Sequence, residues 1–357
     1  MDGGVEAVIL NYFRNINKSK FVFDFVIDSD STDNNFINEI QELGGTIIKC
    51  PPYQKLHKYN KFLYKLFKEK KYDIVHSNIN TLSVFPLRMA EKAGIKIRIA
   101  HSHSTSNPKE WKKNLLKNIL RPFSKKYANV YFACSELAGR YLFGNKAFDE
   151  GKVIVFNNAI DIEKFKYNEE KRKEIRKKLN IKNDTFVIGH IGRFVAQKNH
   201  TFLIDIFNEM HKENENSVLL LIGQGTLQNE IKEKVDKLGL ANSVKFIGQV
   251  TNANDYYNAM DVFVLPSLYE GLPVVGVEAQ ANGMQCYFST DMTKETKVLE
   301  KTEFVSLKLN AKEWSKKIIK DLDKNKREDT EKEMTEKGFN IKKESKKLEK
   351  IYNIILK

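Results

Sequence analysis

The stretch LPSLYEGLPVVGVEAQANG, residues 265–283, decides the fold. It begins where the apolar run 262–265 ends, passes through a short loop that holds Glu270, and continues from Pro273 as a helical pattern. A buried strand that leads into a helix is the repeating unit of parallel α/β sheets. Proline suits the first turn of a helix, where its missing N–H has no bond to lose. Because helix N-termini attract anions, the stretch also predicts a ligand site.

The same alternation of apolar runs and helical patterns extends outward over most of the chain. Many of the runs are continuously apolar, which is typical of parallel strands covered by helices on both faces. The sequence therefore predicts an α/β protein with doubly wound sheets and right-handed crossovers. Strands are predicted at 21–27, 46–50, 73–77, 97–101, 130–134, 153–156, 186–191, 218–222, 244–247, 262–265, 285–289 and 304–307, and helices at 55–71, 108–127, 199–213 and 226–238.

One break in this alternation predicts two domains. Residues 162–182 mix acidic and basic side chains and contain no strand pattern. The length of 357 residues also fits two domains of roughly 150 residues each. We therefore expect an N-terminal domain at 1–161, a C-terminal domain at 162–340 and a final helix at 341–357 that packs back on the first domain. A ligand cleft is expected between the two domains.

The composition excludes several classes of protein. Hydrophobic residues make up 41% and charged residues 30%, an ordinary globular mixture rather than a disordered one. No apolar run reaches the ~18 residues of a membrane span, and the first residues do not resemble a signal peptide. Cys50, Cys134 and Cys286 lie far apart and have no metal-binding spacing. These features indicate reduced thiols in a cytoplasmic protein.

The positive charge is concentrated in one quarter of the chain. Residues 51–126 contain 18 Lys and Arg but only 4 Asp and Glu, which accounts for the whole net charge of +14. Apolar residues recur every four positions among the basic ones, at Trp111, Leu115, Ile119 and Phe123. Such segments can lie on an anionic membrane, although ordinary amphipathic helices have the same pattern. No nucleic-acid recognition motif is present, so we expect no nucleic-acid partner.

Two glutamates carry a resemblance to a known family. Glu270 and Glu278 are separated by seven residues, with Gly-Leu-Pro after the first and Ala-x-Ala-x-Gly after the second. This spacing resembles the E-x7-E motif of glycosyltransferase family 4, retaining enzymes of the GT-B fold, which has two Rossmann-like domains. Four further segments resemble family motifs in the same order along the chain: GGVE at 3–6, VFNNAID at 155–161, GHIGRFVAQKN at 189–199 and LLIGQG at 220–225. Ala159 stands where the family has a glycine.

The resemblance implies a donor site in the C-terminal domain and an acceptor site in the N-terminal domain. Glu270 would face the transferred sugar and Glu278 the ribose hydroxyls, while Arg193 and Lys198 would bind the leaving diphosphate. Independently, Arg193 and Lys198 follow a predicted strand, so that two fixed cations at its end could stabilise that charge without a metal. Further donor-binding residues expected on this basis are Gly3, Gly4, Gly223, Gly271 and Leu272.

A histidine that contacts the donor sugar is implied at the end of the strand 97–101. His103 best matches the family pattern, and His101 is the alternative because one residue of register reverses the side to which a strand residue points. His76 also ends a strand, and we expect it to be a core or rim residue. The predicted catalytic set is His103, Glu270, Arg193 and Lys198.

The resemblance also predicts that the first strand of the N-terminal domain is missing. In the family a short apolar strand runs directly into the glycine loop, whereas only two residues precede Gly3 and Gly4 here. We expect both glycines to lie in a mobile terminus and the N-terminal domain to be the less stable half.

The functional expectation is a metal-independent retaining glycosyltransferase that acts in the cytoplasm, on or near the membrane. It would transfer a sugar from a UDP-sugar or another nucleotide sugar to a lipid-linked or polysaccharide acceptor in capsule or exopolysaccharide synthesis, with no cofactor. The alternatives are a GT-B sugar-nucleotide epimerase and a non-catalytic sugar-nucleotide-binding protein. Asp28 and Asp30 have the D-x-D spacing of a metal site, but no other ligand accompanies them. The glycine turns fall short of a nicotinamide fingerprint.

Overall fold

A computed structural model describes residues 4–28, 34–103, 111–320 and 327–357, without the side chains of residues 34, 35 and 111–117. The chain forms two compact units. The first unit comprises Met1–Ala159 together with Ile341–Lys357, and the second unit comprises Ile160–Asn340. The polypeptide passes from the first unit to the second and back again.

The structure contains all twelve predicted strands, with ends that shift by up to three residues. Each strand pair is parallel, which confirms the α/β class expected from the continuously apolar runs. The strands of the first unit are β1 (Asp24–Asp28), β2 (Thr46–Cys50), β3 (Ile74–Ser77), β4 (Ile97–Ser102), β5 (Val130–Ala133) and β6 (Val153–Val155). Those of the second unit are β7 (Phe186–Ile191), β8 (Ser217–Ile222), β9 (Val244–Gly248), β10 (Val262–Leu265), β11 (Gln285–Ser289) and β12 (Glu303–Val305).

Helices cover the sheets of both units. In the first unit they are α1 (Gly4–Asn15), α2 (Asn34–Glu42), α3 (Leu56–Lys70), α4 (Val84–Ala93), α5 (Trp111–Tyr127), α6 (Glu136–Phe143), α7 (Asn145–Asp149) and α16 (Ile341–Ile355). In the second unit they are α8 (Ile162–Phe165), α9 (Glu169–Lys178), α10 (His200–Glu213), α11 (Gln228–Lys237), α12 (Ala253–Ala259), α13 (Val274–Ala281), α14 (Ala311–Lys320) and α15 (Glu331–Glu336). None of the helices within the described residues is both long and apolar enough to cross a bilayer.

The second unit is a doubly wound sheet with a switch point at its centre. Its six strands have the order β12-β11-β10-β7-β8-β9. The chain starts in the middle at β7, builds outward to β9, and then crosses back to β10 on the other side of β7. Every residue of β7, β8 and β10 is buried. At such a switch point the loops after neighbouring strands diverge, which leaves a crevice outside their carboxyl ends.

The described strands of the first unit form two separate sheets. One pairs β1 with β2, and the other has the order β3-β4-β5-β6. The first described element is α1, which begins at Gly4 and buries Val8, Leu10 and Phe13. Gly4 thus lies in a helix. The expectation of a missing first strand stays a prediction.

Helix α16 belongs to the first unit, where it packs against α1. It buries Leu348 and Tyr352, and the Tyr352 hydroxyl lies 2.8 Å from Nδ1 of His76. The division after Ala159 falls just before the expected boundary at residue 161. The reason is that Ile160 is tied into the second unit by the hydrogen bond from its amide to the Phe339 carbonyl, 3.0 Å long.

Candidate functional site

The loops that follow β7, β8 and β10 meet at the carboxyl edge of the second sheet. The loop after β7 carries Arg193 and then the 3-10 turn Ala196–Lys198. The loop after β10 carries Glu270 and leads through Pro273 into α13. Because β7 has β8 on one side and β10 on the other, these loops are neighbours around the switch point.

Glu270 is the centre of a hydrogen-bonded network. Its Oε1 accepts hydrogen bonds from Lys198 Nζ at 2.6 Å and from Ser267 Oγ at 3.1 Å. Its Oε2 accepts one from Gln197 Nε2 at 3.1 Å. The side chains of Lys198 and Glu270 are only 14% and 9% exposed. A short ion pair that is partly shielded from water is strong, so Lys198 is held against Glu270.

Arg193 contrasts with Lys198. It is exposed, and its guanidinium has no partner among the described residues. A free guanidinium beside a paired ammonium is suited to capture an anion, since only the ammonium must first give up a bond.

The glycine turn after β8 fits closely against the loop after β7. Gly223 has a φ of +134°, and a Cβ built there would lie 2.2 Å from the carbonyl oxygen of Gly192. A Cβ on Gly225 would lie 2.5 Å from the carbonyl oxygen of Phe194. Both positions require glycine for close approach of the backbone. Gly223 thus lets the loops after β7 and β8 pack against each other, and its predicted role in donor binding stays a prediction.

Glu278 lies on α13, where it is partly buried. Its Oε2 accepts a hydrogen bond of 2.9 Å from the Tyr257 hydroxyl. Desolvation raises the pKa of Glu278 to about 7, an effect that the Tyr257 hydrogen bond partly offsets. Gly271 and Leu272 join the Glu270 loop to α13, and Leu272 is buried. The sequence-predicted residues Glu270, Gly271, Leu272 and Glu278 thus lie on one loop-helix segment.

His103 lies in the first unit, at the end of a stack of histidines. The ring centroids of His101 and His103 are 3.9 Å apart, and those of His76 and His101 are 5.2 Å apart. His76 Nε2 and His101 Nδ1 are 3.1 Å apart and share a hydrogen bond. His103 is held by the side chains of Asn78, 3.0 Å from its Nε2, and Asn80, which accepts from its backbone amide at 2.7 Å.

Burial keeps these histidines neutral. Desolvation lowers the pKa of His76 to about 3 and that of His103 to about 4, and it lowers the pKa of His101 as well. His101 lies between His76 and His103, and among the described residues neither the buried Nε2 of His101 nor the buried Nδ1 of His103 has a hydrogen-bond partner. The structure brings His101 and His103 together, and the choice between them stays a prediction.

Several predicted residues lie elsewhere. Gly3 and Asp30 fall outside the described residues, and Gly4 begins α1 in the first unit. Cys50, Cys134 and Cys286 are buried, and none of them forms a disulfide with another described residue. Within the described part of the chain, no group of three His, Cys, Asp or Glu side chains is arranged to hold a metal ion.

The sequence alone did not identify the residues that form hydrogen bonds with the predicted site residues. Gln197 and Ser267 bond to Glu270, Tyr257 bonds to Glu278, and Asn78 bonds to His103. Gln197 and Ser267 lie inside the quoted motif segments, so their position beside charged motif residues was an available signal. No sequence signal marks Tyr257 or Asn78.

A parallel sheet with its polar groups at the switch point defines a nucleotide-binding α/β protein. Two family models match the chain: Glycosyltransferase Family 4 over residues 2–164 and Glycosyl transferases group 1 over residues 171–340. The glycosyltransferase EpsF of Bacillus subtilis is 34% identical over 298 residues, which cover 82% of this chain and 77% of EpsF. The chain therefore belongs to the family 4 glycosyltransferases.

Two other relatives are named for capsular polysaccharide synthesis and for transfer of galactose to a diphosphoundecaprenol-linked sugar. The capsular polysaccharide biosynthesis glycosyltransferase CapH of Staphylococcus aureus is 27% identical and covers 89% of this chain and 87% of its own. An Escherichia coli UDP-Gal:alpha-D-GlcNAc-diphosphoundecaprenol alpha-1,3-galactosyltransferase is 29% identical and covers 64% of this chain and 60% of its own. Among solved structures, Anabaena HepE in complex with UDP-glucose has a TM-score of 0.77 and 18% identity, covering 99% of this chain and 96% of HepE. The expected GT-B fold is thereby confirmed.

Proposed function

We propose that this glycosyltransferase transfers a sugar from a UDP-sugar to a lipid-linked acceptor in surface polysaccharide synthesis, with retention of the anomeric configuration and without a divalent metal. The observation that carries the proposal is the Glu270 network. It joins a partly buried carboxylate to a partly buried ammonium, with the exposed guanidinium of Arg193 on the same loop as the ammonium. These groups lie at the switch-point edge of the sheet, where open α/β sheets bind their ligands. The names of the Escherichia coli and Staphylococcus aureus relatives support the choice of acceptor and pathway.

The chemistry follows from the charges. When the bond between the anomeric carbon and the diphosphate oxygen breaks, negative charge builds up on the leaving nucleoside diphosphate. Arg193 and Lys198 supply positive charge for it, in place of a metal ion. Glu270 accepts hydrogen bonds from hydroxyls of the transferred sugar, and Glu278 accepts them from the ribose. The acceptor oxygen then bonds to the anomeric carbon on the face that the diphosphate left, and the proton of the acceptor hydroxyl passes to the departing diphosphate.

A sugar-nucleotide screen tests the proposal. The purified protein is incubated with UDP- and GDP-sugars and a bacterial lipid extract, with and without EDTA, and the products are analysed by mass spectrometry and NMR. We expect one UDP-sugar to be consumed, a lipid to gain one sugar with the anomeric configuration of the donor, and EDTA to have no effect. If EDTA abolished the activity and magnesium or manganese restored it, the metal-independent mechanism would be wrong.

Two other outcomes separate the rival functions. Release of nucleotide together with an epimerised free sugar would identify an epimerase. Binding of a sugar nucleotide with no turnover in any lipid fraction would identify a non-catalytic binding protein. Substitution of His103 and of His101 by alanine in the same assay distinguishes the two candidates for the donor-sugar contact.

We also propose that a basic surface of the first unit holds the enzyme on the inner face of the cell membrane. Helix α3 packs on α4, and α4 packs on α5. On α5 the side chains of Ile119 and Phe123 are 57% and 42% exposed, four residues apart on one face. On the same helix Arg121, Lys125 and Lys126 are exposed as well. We call the following exposed residues of α3 and α5 the basic surface: Leu56, Lys61, Tyr64, Lys65, Ile119, Arg121, Phe123, Lys125 and Lys126. Exposed apolar side chains among cations favour an anionic bilayer.

A further inference from the structure

The 3-10 turn Ala196–Lys198 is fastened to the loop that carries Glu270 mainly through Gln197. The Gln197 carbonyl accepts a hydrogen bond from the Leu268 amide at 2.8 Å. Its side-chain Nε2 lies 3.1 Å from the Tyr269 carbonyl and 3.1 Å from Glu270 Oε2. One residue thus contacts both the backbone of the Glu270 loop and its carboxylate.

The two oxygens of the Glu270 carboxylate are held by different kinds of donor. Oε1 accepts from the charged Lys198 and from the Ser267 hydroxyl, whereas Oε2 accepts from the neutral amide of Gln197. A diphosphate attracts an ammonium group strongly and a carboxamide weakly. When a donor binds, Lys198 is therefore the partner that the diphosphate competes for, and Gln197 is the partner that it leaves in place.

We propose that Gln197 is a positioning residue that keeps Glu270 aimed at the transferred sugar while Lys198 moves to the diphosphate. This inference rests on the proposed function, because it takes Glu270 as the group that meets the sugar. Without Gln197 the carboxylate keeps only the Ser267 bond once Lys198 has gone. A carboxylate that can then rotate binds the sugar hydroxyls less well, and a small misplacement of a contact group costs up to about 100-fold in rate. The bond between the Gln197 carbonyl and the Leu268 amide does not involve the side chain, so a substitution at Gln197 leaves it in place and the turn that carries Lys198 stays available to the diphosphate.

The test compares affinities and rates in Gln197→Met, which keeps the length of the side chain and removes its N–H donors. The probes are UDP and two sugar nucleotides, UDP-galactose and UDP-glucose, together with the donor found in the screen. We expect the ratio of the Kd for the donor to the Kd for UDP to rise by about tenfold, while the Kd for UDP stays within about twofold of wild type. The kcat for transfer should fall by about 10- to 100-fold with a small change in the KM for acceptor.

Two further variants sharpen the result. Gln197→Glu places a carboxylate against Oε2 of Glu270, so we expect a larger loss than in Gln197→Met. Gln41→Met is the matched control, because Gln41 is exposed on α2 in the first unit. A Gln197→Met protein with the wild-type Kd ratio and kcat would overturn the inference. Equal losses of UDP and donor affinity would also overturn it, because they indicate a general collapse of the loop.

The affinity ratio also separates this inference from the proposed function. It needs no turnover, so a wild-type protein that binds both UDP and a UDP-sugar but transfers nothing would contradict the proposed function alone. In that case a raised ratio in Gln197→Met still supports the positioning of Glu270, and an unchanged ratio still overturns it.

Discussion

Glu270 and Glu278 lie on one loop-helix segment, yet their surroundings give the two carboxylates different properties. Glu270 accepts hydrogen bonds from an ammonium, an amide and a hydroxyl. Glu278 has one phenolic donor and is otherwise desolvated, which raises its pKa to about 7. A ligand that binds Lys198 must rearrange the ion pair that Lys198 forms with Glu270. The charge of Glu278, in contrast, depends on pH near neutrality.

Nucleotide binding should therefore depend on pH through Glu278. Ribose hydroxyls donate to a carboxylate, so binding favours the ionised form, and the ionised fraction rises about tenfold between pH 6 and pH 8 for a pKa of about 7. We expect the affinity for UDP, measured by calorimetry, to rise by nearly that factor. Glu278→Gln is the control, since any pH dependence of UDP affinity that remains in this variant arises from titration of the phosphates of UDP. If the affinity for UDP depended on pH to the same extent in both proteins, Glu278 would not be the group that binds the ribose.

The same pKa has the opposite effect on stability. The folded pKa of about 7 lies above the ordinary glutamate pKa of 4.5, so between these values the folded state holds a proton that the unfolded state has lost. The contribution of Glu278 to stability is thus present at low pH and is lost as the pH rises towards 7. A functional carboxylate that destabilises its own fold when ionised is consistent with a binding group.

Arg193 and Lys198 should both matter for turnover, but of the two side chains only that of Lys198 is bonded to another described side chain. We expect Arg193→Ala and Lys198→Ala each to lower kcat by about 100-fold or more, as loss of preorganised charge does elsewhere. Because Arg193 is exposed, its removal should leave the Tm unchanged. Steady-state kinetics and thermal melting of both variants check this. Near wild-type turnover in both would mean that the diphosphate binds elsewhere.

At the residue scale, the sequence identified charged groups but not their partners. Glu270, Lys198 and Glu278 could be named because motif spacing and the end of a strand place them at a sheet edge. Tyr257 could not, since it lies 21 residues from Glu278 and meets it only through the fold. The ion pair between Lys198 and Glu270 joins residues 72 positions apart, and no local pattern encodes it.

At the scale of elements, strands were easier to predict than helices. Continuous apolar runs mark buried parallel strands directly, and all twelve predicted runs form strands. Helix α1 was missed because its first residues, Gly4 and Val5, read as a glycine loop rather than as a helix. Sequence patterns also do not reveal which face of an amphipathic helix stays uncovered. On α5 the structure shows that Ile119 and Phe123 are exposed rather than packed on the sheet.

The exposed face of α5 should contribute to membrane binding. Ile119→Ser together with Phe123→Ser removes the apolar part of the basic surface and leaves its charges. We expect weaker flotation with liposomes that contain anionic lipid, while binding of the wild type should weaken as salt rises. Leu238→Ser is the matched control, since Leu238 is a 39% exposed apolar residue of the second unit. If flotation changed neither with the charge of the lipid nor with these substitutions, the basic surface would have no role in membrane binding.

At the scale of the whole molecule, the chain order differs from the spatial order. The polypeptide builds the first unit to Ala159, builds the second unit, and then returns with α16 to complete the first. The sequence predicted such a final helix, but its contacts with α1 and His76 are a property of the tertiary fold. A substitution near the C-terminus should therefore affect the unit that contains the N-terminus.

Leu348→Ala tests this dependence. Leu348 is buried on α16, which packs against α1, and truncation of a buried leucine costs about 2–5 kcal/mol. Ile354→Ala on the same helix is the matched control, because Ile354 is 69% exposed and its truncation should cost less than about 0.5 kcal/mol. We expect Leu348→Ala alone to lower the melting temperature, while the affinity for UDP at a temperature below the transition stays that of wild type, since Arg193, Lys198 and Glu278 all lie in the second unit. Equal melting temperatures for the two variants would show that α16 does not stabilise the first unit. A loss of UDP affinity in Leu348→Ala would show that the nucleotide site depends on the first unit.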